Sequence, residues 1–244
     1  MAFTDLIIEV PEVISKELCT EIIDRFEADN SKTAGITGGI GYNEQVKRST
    51  DLMITDLPDW TDIDQKFYDA LSPHFQDYLA TYGDVIGTNL HGVGFHDMGY
   101  QIQRTNPGEF YHWHHDYNIA PVPGTFHMNR HNEGMVYCKE RLFTYIVYLN
   151  DRTDYQEDGR TQFTHCGETF SYIAEPGKLL LFPANIIYTH RGETLQNGVK
   201  YLMTGWAGFY SAMNLASASA SDIQNLQEII DSSDEFTRFD GQFT

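Results

Sequence analysis

The chain of 244 residues is 41% hydrophobic and 14% aromatic, and 35 acidic against 16 basic residues give a formal net charge of −19. A chain of this length buries roughly 70–75% of its unfolded surface and needs no disulfide or metal to fold. Nucleic acid or an anionic membrane would require a local basic patch, and none is visible in the sequence. We therefore expect a folded protein with neither nucleic acid nor membrane as a partner.

The first residues, MAFTDLIIEVPE, lack the basic start and long apolar run of a signal peptide, and no apolar stretch reaches ~18 residues. The three cysteines, Cys19, Cys138 and Cys166, have no CxxC spacing. This spacing argues against a disulfide framework and against a thiolate zinc site. We expect a cytoplasmic protein.

Two amphipathic helices are predicted near the N-terminus, at about residues 12–30 and 59–82. Ser15 suits the N-cap of the first helix. The second helix has Pro73 as a possible kink and Gly83 as its end. Its apolar stripe consists of Trp60, Ile63, Phe67, Leu71, Phe75 and Leu79. Because each helix has one apolar face, both should pack against another layer.

From Tyr100 onward the pattern changes to short strand-like runs separated by turn residues. Seven or eight such runs predict a sandwich or barrel, so the fold class is α+β, mainly β. We expect one domain at residues 1–210 and a C-terminal extension at 211–244. Ser221 and Gln224 form a capping box, which predicts a short helix at 222–231 in this extension.

The densest ionisable cluster is the run YHWHHD at residues 111–116. Side chains alternate along a strand, so one face carries His112, His114 and Asp116 and the other carries Tyr111, Trp113 and His115. Two imidazoles and one carboxylate bind a ferrous ion and leave open positions on it. His114 and Asp116 therefore need one distant histidine. His190 is the best candidate, because it ends a strand-like run that follows the turn at 175–177.

The motifs around this cluster resemble those of 2-oxoglutarate- and Fe(II)-dependent oxygenases, in particular the prolyl 4-hydroxylase-like group. Seven pieces occur in family order over roughly residues 12–210: Arg48-Ser49, His114-x-Asp116, RLFTYIVYLN at 141–150, GRTQF at 159–163, PGKLLLFP at 176–183, His190, and GVKY at 198–201 followed by Trp206. The family fold is a double-stranded β-helix, or jelly roll, braced by N-terminal helices. It agrees with the fold class expected from the strand pattern.

The resemblance implies that His114, Asp116 and His190 bind Fe(II). It also implies that Lys200 pairs with the distal carboxylate of the cosubstrate 2-oxoglutarate, and that Tyr148 donates its hydroxyl to the same group. Trp206 would form a wall of the iron pocket. The implied reaction uses O2, with ascorbate as a reductant, and hydroxylates an unactivated C–H bond while 2-oxoglutarate is decarboxylated to succinate. The default substrate is a prolyl residue in a peptide or protein, and a free amino acid or another peptidyl residue stays open.

Two segments depart from the family pattern. Asp158-Gly159-Arg160 stands where close relatives have Gly-Gly-Glu, and Asn106-Pro107-Gly108 stands where some relatives have a cosubstrate-binding tyrosine. The glycine-rich segment 31–45 and the segment 119–135 are predicted lids that order over substrate.

Four other functions fit the sequence to different degrees. Halogenases of the superfamily replace the metal-binding carboxylate with Gly or Ala, so Asp116 argues against that function. Nucleic-acid demethylases carry two arginines after the distal histidine, whereas this chain has Arg191 next to His190 and only Lys200 downstream. A cupin-type metalloenzyme could use His112 and His114, but it lacks the glutamate expected three or four residues later. A non-catalytic jelly-roll binding or structural module, with zinc or no metal, stays open because fold does not fix function.

Overall fold

The computed structural model describes residues 1–37, 41–55, 57–86, 95–121, 127–128, 134–155, 158–215 and 242–243. Within these ranges two α-helices, α1 and α2, span Lys16–Ala28 and Thr61–Ile86. Short 3-10 helices lie at Phe3–Leu6, Pro58–Trp60, Thr153–Tyr155 and Ile186–Tyr188. The strands are β1 (Ile8–Val10), β2 (Thr33–Ala34), β3 (Lys47–Arg48), β4 (Thr50–Met53), β5 (Phe95–Thr105), β6 (Phe110–His114), β7 (Ile119–Pro121), β8 (His127–Met128), β9 (Gly134–Tyr148), β10 (Thr161–His165), β11 (Glu168–Tyr172), β12 (Leu179–Pro183), β13 (His190–Gly192), β14 (Lys200–Leu215) and β15 (Gln242–Phe243).

The strands form two antiparallel sheets. The large sheet has ten strands, in the order β1-β12-β9-β14-β5-β4-β2, with β7 and β8 paired to β9 and β15 paired to β5. The small sheet has the order β11-β10-β13-β6-β3. Neighbours in this order are often distant in sequence, as in a jelly roll. The expected mainly β fold with N-terminal helices is confirmed.

The core has two parts because the large sheet is covered on both faces. One cluster joins α1 and α2 to the large sheet and includes Phe26, Phe67, Phe75 and Tyr145. A second cluster lies between the sheets, where Tyr148, Phe163 and Phe182 are fully buried. Alternating residues of β9 therefore serve different cores, with Tyr145 and Val147 towards the helices and Ile146 and Tyr148 towards the small sheet.

The helices form where the sequence predicts them, with one difference at the end of α2. The side chain of Ser15 caps α1 by accepting a hydrogen bond from the Leu18 backbone N–H at 3.2 Å. The predicted end at Gly83 is wrong, since α2 continues to Ile86. A glycine ends a helix where the backbone turns left-handed, and Gly83 instead lies buried within α2. No helix in the described part of the chain is long and apolar enough to cross a membrane.

One predicted strand in the second half is not formed. The run 186–190 is not a strand, because Asn185 caps a 3-10 helix at Ile186–Tyr188 by accepting from the Ile187 N–H at 3.0 Å. His190 therefore begins β13 instead of ending a strand. Strand β14 runs across the expected boundary at 210, and the helix predicted at 222–231 lies outside the described residues.

Pro73 lies inside α2 on an exposed face, where it removes one helical hydrogen bond. We expect Pro73→Ala to raise the free energy of unfolding, by at most about 3 kcal/mol, because alanine restores the missing donor. Urea denaturation followed by circular dichroism measures the change. Asp77→Ala, at another exposed position of α2, should change it by less than about 1 kcal/mol. A loss of stability in Pro73→Ala would contradict this account of the helix.

Candidate metal and cosubstrate site

A cavity of about 1100 Å³ opens between the two sheets, and residues from both sheets line it. His114, Asp116 and His190 all lie on its wall. One ligand atom from each of these residues lies within 4.8 Å of the other two. The structure therefore brings together the three residues that the sequence analysis proposed as metal ligands.

Strand pairing sets the distances between these ligands. His190 at the start of β13 lies opposite His114 at the end of β6. The Asp116 carboxylate lies between the two rings, with Oδ1 3.6 Å from His114 Nε2 and Oδ2 3.5 Å from His190 Nε2. Atoms about 2.1 Å from one ion and at right angles lie about 3 Å apart, so a small contraction would bring these atoms to one metal ion.

Hydrogen bonds behind the ligands fix which nitrogen faces the centre. His114 Nδ1 lies 2.7 Å from the carbonyl of His112, and His190 Nδ1 lies 3.0 Å from the carbonyl of Tyr188. A carbonyl can only accept, so Nδ1 carries the proton in each ring and Nε2 presents its lone pair to the centre. Thr144 Oγ1 donates to Asp116 Oδ2 at 2.8 Å.

The electrostatics of the three side chains also suit a divalent cation. Burial and the neighbouring His190 lower the pKa of His114 to about 3, so its imidazole is neutral at physiological pH. Burial opposes ionisation of Asp116, but the two imidazoles and the Thr144 hydroxyl hold its pKa below the usual value. Two imidazole nitrogens and one carboxylate form the donor set of a non-haem Fe(II) site.

A β-bulge changes which residues of β6 face the cavity. His114 pairs with His190 and Tyr111 pairs with Gly192, so three steps on β6 match two on β13. Tyr111 therefore stacks on His114, with ring centroids 3.5 Å apart, although strict alternation places these residues on opposite faces. The predicted shared face of His112 and His114 is wrong. His112 is exposed and packs on Phe110 instead.

Lys200 lies in the same cavity and is 4% exposed. Its Nζ donates to the Gly159 carbonyl at 2.8 Å and to Thr161 Oγ1 at 3.3 Å. Burial and the nearby positive charge of Arg152 lower its pKa to about 7. A bound carboxylate would favour the charged form, so this ammonium group is suited to an anionic ligand.

Tyr148 lies beside Lys200 but reaches the cavity through another residue. The Tyr148 ring centroid is 5.4 Å from Lys200 Nζ, and the Tyr148 hydroxyl donates to Thr161 Oγ1 at 2.8 Å. Thr161 lines the cavity, whereas Tyr148 is not among the described lining residues. The position of Thr161 on the cavity wall could not be predicted from the sequence, where this residue is only one member of the GRTQF run.

The segment Asp158-Gly159-Arg160 keeps an ordered geometry despite its departure from the family pattern. Gly159 has a φ of 68°, and a side chain there would come within 2.3 Å of Leu195 Cδ1. Arg160 forms a bidentate ion pair with Glu193, at 2.8 and 3.0 Å. The turn that supplies the carbonyl for Lys200 is thus fixed by a glycine and by an ion pair to Glu193, the residue that follows β13.

Trp206 lines the cavity as expected, and the Arg141 guanidinium stacks on its ring at 3.7 Å from the centroid. The sequence analysis missed the role of Arg141 because this residue was seen only as the start of a strand motif. It also missed Thr144, since nothing in the sequence shows that β9 passes behind Asp116.

A model of the 2OG-Fe(II) oxygenase superfamily matches residues 100–208, the stretch that holds the three ligands and Lys200. Residues 100–208 are thus similar to a 2OG-Fe(II) oxygenase domain. The resemblance noted from the sequence is confirmed, and Fe(II) and 2-oxoglutarate are the cofactor and cosubstrate of this superfamily. No curated protein matches the chain.

Solved structures with the same fold include several prolyl hydroxylases. A Pseudomonas putida prolyl-4-hydroxylase superposes with a TM-score of 0.59 at 14% identity, covering 83% of this chain and 92% of that one. A viral collagen prolyl hydroxylase from Paramecium Bursaria Chlorella virus-1, solved with 2OG, gives 0.54 at 15% identity over 84% and 98%. A Trichoplax adhaerens prolyl hydroxylase, in complex with a hypoxia inducible factor peptide fragment, gives 0.57 at 14% identity over 84% of each chain. The fold of this chain is thus similar to that of the prolyl hydroxylases.

The hydrogen bond from Thr144 orients the carboxylate of Asp116, one of the three candidate metal ligands. We expect Thr144→Val to weaken Fe(II) affinity by about 10- to 100-fold, as loss of such supporting bonds does at other metal sites. Anaerobic titration with Fe(II) measures the affinity. Thr204→Val is the matched control, because Thr204 lines the cavity but bonds to the Tyr145 carbonyl. Equal affinities in both variants would show that the Thr144 bond is unimportant.

Proposed function

We propose that this protein is a dioxygenase that binds Fe(II) through His114, Asp116 and His190 and hydroxylates a prolyl residue in a peptide or protein. The observation that carries the proposal is the convergence of two Nε2 atoms and one carboxylate in a cavity that also holds the buried Lys200. The prolyl hydroxylase fold of the structural neighbours supports the choice of substrate.

Bound Fe(II) supplies the activation of O2, in which one oxygen atom oxidises 2-oxoglutarate to succinate and CO2 and the other becomes the hydroxyl of the product. The protein positions the reactants and needs no general base. Lys200 holds the distal carboxylate of 2-oxoglutarate directly. Tyr148 holds it through Thr161, whose Oγ1 accepts from the Tyr148 hydroxyl at 2.8 Å.

The walls of the cavity restrict water near the reacting carbon. Ile146, Leu202 and Trp206 are buried residues of the large sheet on the cavity wall. A dry site favours transfer of the hydroxyl to substrate over side reactions. Segments 31–45 and 119–135 are proposed as lids, although residues 38–40, 122–126 and 129–133 of them lie outside the described residues. Ile36 and Thr37 of the first segment line the cavity. Ascorbate as reductant and a cytoplasmic location stay predictions from the sequence.

His190→Ala removes one of three proposed ligands. We expect stoichiometric Fe(II) binding to be lost while the circular dichroism spectrum stays unchanged. His112→Ala is the control, because His112 is exposed and lies outside the three-residue cluster. If His112→Ala loses iron and His190→Ala retains it, the result would support a cupin-type site and contradict the assignment of His190 as a metal ligand.

Lys200→Ala removes the proposed anchor of the cosubstrate. The affinity for 2-oxoglutarate should fall by about 1.5–3 kcal/mol, the value of a hydrogen bond to a charged group. Calorimetric titration of the iron-loaded protein without oxygen measures it. Tyr148→Phe should cost less than Lys200→Ala, since the Thr161 hydroxyl remains. Unchanged affinity in Lys200→Ala would place the anchor elsewhere.

The lowered pKa of Lys200 predicts a pH dependence of 2-oxoglutarate binding. Below about pH 7 the amine is already protonated, whereas above it the carboxylate must bind together with a proton. The affinity should therefore fall as pH rises through 7, by at most about tenfold per unit. Lys200→Arg, which stays charged, should bind with little dependence on pH between 7 and 9. The same slope in both proteins would contradict the role of Lys200.

A further inference from the structure

Arg152 is a buried cation behind the proposed cosubstrate anchor. It lies in the turn that follows β9 and is 2% exposed. Its backbone N–H donates to the Ala174 carbonyl at 3.0 Å, and its guanidinium stacks on the Tyr155 ring at 4.4 Å from the centroid. Arg152 is not among the described residues that line the cavity. A buried charge is unfavourable unless it is paired and hydrogen-bonded, so the role of Arg152 lies in its partners.

The guanidinium joins the two segments that hold Lys200. Its Nη2 donates to Asp158 Oδ2 at 3.2 Å, and its Nη1 donates to the Asn197 carbonyl at 2.7 Å. Asp158 precedes Gly159, whose carbonyl accepts from Lys200 Nζ, and Asn197 belongs to the loop that leads into Lys200. Arg152 therefore supports both the donor and the acceptor of the hydrogen bond that orients Lys200.

Asp158 ties the same two segments from the other side of the ion pair. Its Oδ1 accepts from the Gln196 backbone N–H at 2.8 Å, and its Oδ2 accepts from the Asn197 backbone N–H at 2.9 Å. Burial opposes its ionisation, but these N–H groups and the Arg152 charge hold the pKa of Asp158 below its usual value. Gly198 has a φ of 63°, and a side chain there would come within 2.8 Å of Arg152 Nη1. The loop before β14 thus packs directly on an ionised pair.

The charge of Lys200 responds to this pair. The charged side chains that act on its ammonium group are Arg152, Asp158 and Glu193, and the Tyr148 ring centroid lies 5.4 Å from its Nζ. Burial lowers the pKa of Lys200 most, Arg152 lowers it further, and the two carboxylates raise it. Solvent screens such buried interactions only weakly. Glu193 lines the cavity, whereas Arg152 and Asp158 are not among its described lining residues, so their charges act without contact to a ligand.

We propose that Arg152 and Asp158 are positioning residues of the cosubstrate site, which aim Lys200 at the distal carboxylate of 2-oxoglutarate and act on its charge in opposite directions. The inference rests on the proposed function and adds two residues to its cosubstrate site. It also gives a role to a departure from the family pattern, because Asp158 stands where close relatives have a glycine and so no carboxylate.

The test is the affinity for 2-oxoglutarate from about pH 6 to 9, measured by calorimetric titration of the iron-loaded protein without oxygen. Arg152→Gln removes a nearby positive charge, so Lys200 keeps its proton to higher pH and the fall in affinity should begin about one pH unit higher. Asp158→Asn removes a nearby negative charge and should shift the fall to lower pH. At about pH 6, Arg152→Gln should bind about three- to tenfold more weakly, because Lys200 is no longer held in place.

Arg152→Lys separates the charge of Arg152 from its geometry. The charge remains, but an ammonium group cannot reach Asp158 and Asn197 in the fork arrangement of a guanidinium. The pH dependence should match that of the unchanged protein, while the affinity at about pH 6 falls as in Arg152→Gln. Arg25→Gln is the matched control and should change neither property, because Arg25 forms its ion pair with Asp62, at 3.0 Å, in the helix layer.

A loss of affinity in Arg152→Gln that is equal at every pH would overturn the inference, as would shifts in the same direction in Arg152→Gln and Asp158→Asn. Circular dichroism and Fe(II) binding show whether each variant is folded. If Arg152→Gln does not fold, Asp158→Asn and Arg152→Lys decide, since the first must shift the pH dependence and the second must leave it in place. A failure of the proposed function is seen separately, because the unchanged protein would then not bind 2-oxoglutarate.

Discussion

The antiparallel pairing of β6 with β13 is the constraint on which the site depends. It places His190 opposite His114 although 76 positions separate them in the chain. The bulge in the same pairing lets Tyr111 stack on His114, and Asp116 follows the end of β6 to lie between the rings. A change of register by one residue would turn one imidazole away from the other, so metal binding and sheet pairing are specified together.

The cavity has two ends, and a basic side chain lies at each of them. At one end, the turn at Gly159 and the ion pair between Arg160 and Glu193 surround Lys200. Burial makes the charged form of Lys200 unfavourable until an anion binds. At the other end, a bulge in β9 brings Arg141 onto the ring of Trp206. The candidate metal ligand Asp116 lies between these ends, beside Thr144 opposite Trp206.

The fold class, both helices and the convergence of His114, Asp116 and His190 could be predicted from the sequence. Apolar periodicity and the order of motifs depend only on residues that are near one another in the chain. Prediction failed where an irregularity in the sheet decides the outcome. The bulges at Tyr111–His114 and Arg141–Phe143 interrupt the alternation on which face assignments rest, so His112 was placed wrongly and Arg141 was missed. Supporting groups such as Thr144 and Thr161 could not be predicted, since their partners come from strands that are adjacent only in the folded sheets.

The central claim is that one centre binds Fe(II) and 2-oxoglutarate together. Its most direct test is anaerobic titration of the purified protein with Fe(II) and then with 2-oxoglutarate, followed by visible absorption. The account predicts the weak charge-transfer band of a 2-oxo acid chelated to Fe(II), at one equivalent of each and absent in His190→Ala. A protein that binds zinc or no metal and shows no such band would contradict this claim and would favour a jelly-roll binding module.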